Sequence, residues 1–286
     1  MVDLKYSIAE KIAKKITIPP RPELLIQVSS EIQSEEPNLL VIADILCRDV
    51  SMAAAMLKMV NSPAYGLSNK ISSVQKATML LGLKNVERIV TVVTLRNEIS
   101  GKLDLNSFWE SAAKVAEVSA QVAAIVNLAP TDDAYTLGLF RNCGIPLMMQ
   151  AFPDYLDIMA QSESDDVSPA TVLEDKHYGT NHCDVGQHLC ETWYLPESIC
   201  DAIYFHHQEE TFENNKELTV AVKNLLIVLM IAEKICQTFS GSIDKRADAR
   251  WAQNGAEVLT AVGLDEEAFL EIQDDMITSL RNQTAV

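Results

Sequence analysis

The sequence predicts an all-α protein. Two observations carry that prediction: apolar residues recur at helical spacing almost throughout, and sustained alternation is nearly absent. Leu24, Leu25, Val28 and Ile32 make a first stripe. Leu39, Ile42, Ala43 and Leu46 make a second, and Met52, Ala55, Met56, Met59 and Val60 a third. Ser72 and Gln75 read as a capping box for the next helix, and Gly82 suits the position just past its end. Arg88 to Leu95 is β-branched, but a lone strand has no partner for its backbone, so a helix buried on more than one side is predicted. Ser107 and Glu110 read as a second capping box, opening an Ala-rich helix to about Val126. Pro169 and Pro196 fit first-turn positions of later helices. The last helix, about Asp265 to Leu280, places Phe269, Ile272, Met276 and Leu280 on one face and should dock on the body.

The polar stretch Gly101 to Asn106 reads as a hinge, giving an N-terminal helical bundle over 1–100 and a larger one over 106–286, the first packed on the second. The stretches 161–168 and 208–216 read as polar loops. Hydrophobic residues are 48% and charged residues 22% of the chain, an ordinary globular composition. A net charge of −17 argues against direct binding to a nucleic-acid backbone. The six cysteines form no C-x-x-C pair, so free thiols are expected. The N-terminus lacks the layout of a signal peptide, and the longest apolar run, Leu225 to Ala232, is too short for a membrane span. A cytoplasmic protein is the expectation.

The most specific stretch is Asn61-Ser-Pro-Ala-Tyr-Gly66, followed by Ile71-Ser-Ser-Val-Gln-Lys-Ala-Thr-Met-Leu-Leu-Gly82. Asn61 and Ser62 can hydrogen-bond nearby backbone and close a helix end, Pro63 stops the helix, and Gly66 permits a turn. Asn61, Ser62, Tyr65, Gly66 and Gly82, with the entry Ile18-Pro-Pro-Arg-Pro and the run from Ile45 to Met52, resemble the signature of the HDOD domain. That family is a signalling relative of the HD-type metal phosphohydrolases, and the resemblance covers about 18–208. The family's usual Asp-Pro is Asp49-Val50 here. Asn61 to Gly82 is also readable simply as a rigid helix connection.

The resemblance implies an HD-like larger bundle and supplies a metal-binding pattern. Several positions depart from it. Ser111 stands after the aromatic pair Phe108-Trp109, where many relatives carry histidine, and Arg141-Asn142 stands where the eponymous His-Asp doublet falls. Arginine is a permanent cation and ligates no metal, and asparagine is a weak neutral donor. His182, His206, His207 and Glu233 match other family positions and are residual metal-site candidates. On a continuous helix His206 and His207 would point about 100° apart and not share an ion. His177, His182, Cys183, His188, Cys190 and Cys200 match no familiar zinc spacing, and Cys183, Cys190 and Cys200 read as core thiols. Cys143 lacks an evident base and reads the same way, and no phosphate-cradling glycine loop is present.

The expected function is therefore non-catalytic: a signal-transduction module that binds a protein partner or a small anionic ligand, with Arg141 as a possible anion contact. The resemblance implies signalling proteins as partners in trans, and a nucleotide fits the anionic-ligand class. No cofactor is expected. The alternative is a metal-dependent phosphohydrolase that uses the residual histidines and Glu233 with a divalent ion such as iron or manganese.

Overall fold

A computed structural model describes residues 15–61, 70–100, 103–162, 170–207, 218–242 and 245–284. Among the described residues every regular element is helical, so the all-α expectation holds. The backbone groups two compact units, residues 19–104 and residues 105–286 with those before Pro19. Ser62, Tyr65, Gly66 and Pro169 lie outside the described residues, as does most of the 161–168 and 208–216 loops. No described helix is long and apolar enough to cross a membrane.

The smaller unit holds α1 (Glu23–Ile32), α2 (Leu39–Cys47), α3 (Val50–Val60) and α4 (Val74–Ser100). Side chains set its helix starts. Asn38 accepts from Leu40 N at α2, and Asp49 accepts from Met52 N at 2.9 Å at α3. Val50 thus takes the first helical position, which does not require the family's proline. The α1, α2 and α3 helices present Leu25, Val28, Ile42, Leu46, Met56 and Val60 as core, and α2 and α3 pack on α4. Asn61 makes a two-way clamp: its Nδ2 donates to Ile71 O and its Oδ1 accepts from Ile71 N, both at 2.7 Å. It ties the end of α3 to the residues that lead into α4.

Two details of α4 correct the sequence reading. The cap falls one residue later than expected: Ser73, not Ser72, precedes the helix, and its hydroxyl accepts from Lys76 N at 3.4 Å. Gly82 ends the first segment as expected, at φ 72°, but the chain re-enters helix at once. Only a residue tolerant of positive φ permits that kink. Arg88 to Leu95 is helical, and Ile89, Val90 and Leu95 are buried within it.

The larger unit runs α5 (Asn106–Val126), α6 (Thr131–Phe140), α7 (Gly144–Ala151), α8 (Tyr155–Ser162), α9 (Ala170–Tyr178), α10 (His182–Thr192), α11 (Glu197–Phe205), α12 (Val220–Ser240), α13 (Lys245–Ala261) and α14 (Glu266–Thr284). The expected Ser107–Glu110 capping box does not form. Leu105, buried, takes the cap position and leaves Ser107 inside the helix. Pro196 likewise sits at the cap of α11, one residue before the first turn. Close packing of α5 on α6 depends on small residues, since a Cβ on Gly138 would come within 2.8 Å of Ala116 Cα. The α12 helix is the core of this unit, with its run from Leu225 to Ala232 buried. The last helix docks as expected: Phe269, Met276 and Leu280 are buried, and the Phe269 ring lies 5.0 Å from Trp251.

Candidate functional site

The larger unit brings the candidate residues into two adjoining chemical groups. The first is a buried histidine cluster at the start of α10. Asn181 caps that helix, its side chain accepting from Cys183 N and Asp184 N, which puts His182 at the first helical position. Gly179, at φ 71°, ends α9 and lets the chain reverse, bringing Glu174 back against His182. The Glu174 carboxylate lies 2.7 Å from His182 Nδ1 and accepts from His182 N at 3.1 Å. The Tyr155 hydroxyl donates to the same carboxylate. Both Glu174 and His182 are fully buried.

Burial alone would strip that pair of charge, but its members hold each other ionised. Burial would raise the Glu174 carboxyl; His182 and the Tyr155 hydroxyl bring it below its ordinary value. Burial would lower the His182 imidazole; hydrogen bonding with Cys183 and the Glu174 carboxylate carries it well above. His206 and His207 go the other way. Burial and the charge of their histidine neighbours, with Arg250 and Arg141 behind, hold both well below the ordinary histidine range. Of the three rings only His182 keeps an extra proton, and the Glu174 carboxylate balances its charge.

The three rings are neighbours: His182 is 5.5 Å from His206 and 5.0 Å from His207 between centroids, and the last two are 4.1 Å apart. The 100° argument for separating His206 from His207 does not apply, because α11 ends at Phe205 and His206 is already its cap. His206 Nδ1 lies 2.6 Å from Ile203 O, so that nitrogen carries the proton of the neutral ring. Its Nε2 lies 3.0 Å from Asn142 Oδ1, and an accepting Nε2 requires that amide to be turned over so that its NH2 donates.

Metal binding can be tested against these donors. Among the described residues His182, Cys183 and His206 form one group with ligand atoms within 4.8 Å of one another. Each is otherwise engaged. His182 is protonated and paired, burial raises the Cys183 thiol and keeps it neutral, and the His206 Nδ1 that faces Cys183 Sγ at 3.5 Å holds a proton for Ile203. A divalent ion needs deprotonated ligands, so binding one here would have to displace the His182 proton shared with Glu174 and the His206 proton held for Ile203.

The second group lines a cavity of about 580 Å³ in the same unit. Arg141, buried at the end of α6, donates from Nε to Glu233 Oε1 at 2.8 Å and from Nη1 to Gly138 O. Arg250, on α13, reaches the other Glu233 oxygen at 3.3 Å. Glu233, on α12, is therefore held between two guanidinium groups rather than beside His182 and His206. Ser111 and Asn142 also line this cavity, so with Arg141 the three departures from the metal-binding pattern face one space, and His207 borders it too. Four cations line it against two carboxylates, a local inversion of the chain's overall charge.

No sequence pattern marked Glu174, Tyr155 or Arg250. Glu174 is one acidic residue among 40 acidic side chains, and only its complete burial separates it from the rest. Gly144 also went unread. A Cβ there would stand 2.1 Å from the His182 carbonyl oxygen, so the glycine lets α7 lie directly against α10.

The fold is that of several solved helical proteins. An HDOD domain protein of Geobacter sulfurreducens superposes with a TM-score of 0.72 at 19% identity, covering 99% of this chain and 97% of its own. A provisionally named phosphohydrolase of Shewanella amazonensis gives 0.69 at 17% identity, over 94% and 93% of the two chains. A provisionally named signal transduction protein of Marinobacter aquaeolei gives 0.67 at 18%, over 99% of this chain and 66% of that one. At such identities the likeness shows the shared fold. Residues 18–209 match the HDOD domain model, and the chain belongs to the HDOD family. An uncharacterized protein of Treponema pallidum (strain Nichols) is 26% identical over 235 residues, 80% of this chain and 45% of that protein. The uncharacterized protein YuxH of Bacillus subtilis (strain 168) is 32% identical over 71 residues, 25% of this chain and 17% of its own. The chain thus spans less than half the length of these curated relatives.

Proposed function

We propose that this chain is a non-hydrolytic regulatory module of signal transduction that binds a small anion in the arginine-lined cavity and acts in trans on signalling proteins of the cytoplasm. The observation that carries the reading is Arg141. It stands where the family resemblance calls for a metal-binding doublet, is buried, and meets a carboxylate already shared with Arg250. Guanidinium groups in a partly dry cavity recognise phosphate or carboxylate through charge and paired N–H donors together. They repel a divalent cation from the same space. The solved relative named for signal transduction supports the regulatory half of the proposal.

The phosphohydrolase reading draws on the three histidine rings and on the solved relative named a phosphohydrolase. It requires Glu233 to leave two arginines and His182 to surrender its proton. The two readings separate in a phosphodiester and phosphomonoester hydrolysis assay with added manganese or iron. The regulatory reading expects no metal-dependent turnover above background. Turnover abolished by a chelator and by His182→Ala contradicts it.

A further inference from the structure

The α13 wall of the cavity carries buried polar atoms that the chain leaves unmatched, Arg250 Nε and Asn254 Oδ1 among them. Four residues apart, they are neighbours on one helix face. Asn254 Nδ2 donates to Arg250 O at 3.2 Å, which fixes that amide and leaves its oxygen as the unmet acceptor. Asn254 is only 3% exposed, so bulk water does not serve it. A buried donor and a buried acceptor left unmade on one helix face are costly unless something fills them.

A simple anion fills only half of this arrangement. It accepts from Arg250 Nε but offers nothing to Asn254 Oδ1, which needs an N–H or O–H. The charge count adds a second constraint. Lys114, Arg141, Arg246 and Arg250 face Glu110 and Glu233, an excess of two positive charges in the cavity lining. A dianion balances that excess, and a phosphate monoester is the common small dianion near neutral pH. The cavity, about 580 Å³, lies in the range of sites that hold whole small molecules rather than single ions.

We infer that the cavity takes a phosphate monoester whose organic portion carries a combined donor and acceptor, its O–H or N–H meeting Asn254 Oδ1 and its oxygen meeting Arg250 Nε. The inference rests on the anion-binding reading above and adds the class of ligand. A sugar hydroxyl supplies both functions in one group, and a nucleobase edge with adjacent N–H and C=O supplies them in two.

The test is calorimetric titration of the full chain at pH 8 with methyl phosphate, ribose 5-phosphate and guanosine 5′-monophosphate. Methyl phosphate is there a dianion with no donor. The expected result is at least about tenfold tighter binding of one larger ester than of methyl phosphate, and loss of that difference in Asn254→Leu. Equal tightening by both larger esters assigns the sugar hydroxyl; tightening by the nucleotide alone assigns the base edge. Equal affinity for all three probes overturns the inference and leaves the anion site standing. A preference that survives in a folded Asn254→Leu also overturns it. No binding by any probe removes both. Should Asn254→Leu fail to fold, the comparison of esters on the unaltered protein still decides.

Discussion

The histidine cluster and the arginine cavity adjoin in one helical unit, yet they handle charge in opposite ways. The cluster buries a matched pair, Glu174 with His182, and drives its other two rings neutral. The cavity gathers cations around a single shared carboxylate and leaves hydrogen-bonding capacity unused. A closed network of this kind stabilises one conformation, whereas an open excess of charge awaits a ligand. On the proposed reading, histidines retained from a metal-binding pattern serve the fold, while the substituted positions take on the ligand.

The largest expected effect tests the closed half. Glu174→Gln leaves His182 buried without its counter-charge and should cost about 3–5 kcal/mol of stability, read from denaturant unfolding. A loss below ~1 kcal/mol would mean that the pair is not structural. Next comes Gly144→Ala, whose new Cβ would press on the His182 carbonyl. It should cost about 3 kcal/mol by displacing α7 from α10, while Gly144→Ala in a background already carrying Glu174→Gln should add less than the full amount.

A pH series sharpens the same contrast. Glu174 is depressed below 4.5, so its contribution is present above that value and is lost as pH falls through the depressed one. His182 is raised above 6.5, so its contribution is complete below 6.5 and fades as pH rises through the raised value. His206 and His207 are depressed, so their neutral forms favour the fold above 6.5 and stability falls as pH drops below it. Thermal stability should therefore decline on both sides, and the alkaline decline should shrink in Glu174→Gln. An unchanged alkaline slope would contradict the His182 assignment.

The smallest stability effect belongs to the open half. Glu233→Gln should cost about 1.5 kcal/mol, because Glu233 and Arg250 are part-exposed to water and buried Arg141 keeps its bond to Gly138. It should also tighten phosphate binding several-fold by removing the internal competitor for Arg141 and Arg250. Weaker phosphate binding in this variant would place Glu233 among the ligand's contacts instead.

Much of the helical plan was legible because period and capping are local properties. Asp49, Gly82 and the last helix's apolar face each announce themselves within a few residues. Errors of one residue arose where neighbouring polar groups compete for the same cap, as with Ser72 and Ser73. The Ser107 cap failed because burial of Leu105 decided where the helix began. The site was legible only in its family positions. Which of them meet was not, since Glu233 joins Arg141 across 92 residues and Glu174 becomes His182's partner only through the reversal at Gly179. His206 and His207 illustrate the same limit: a helix boundary, invisible in the doublet itself, turned two diverging side chains into neighbouring rings.

The most direct test of the central claim is calorimetric titration of inorganic phosphate into the unaltered chain and into Arg141→Ala, with folding of both checked by thermal unfolding. The anion-site account predicts saturable binding to the unaltered chain and at least about tenfold weaker binding to the folded variant. Phosphate binding that ignores Arg141, or that is absent from the unaltered chain, would contradict it.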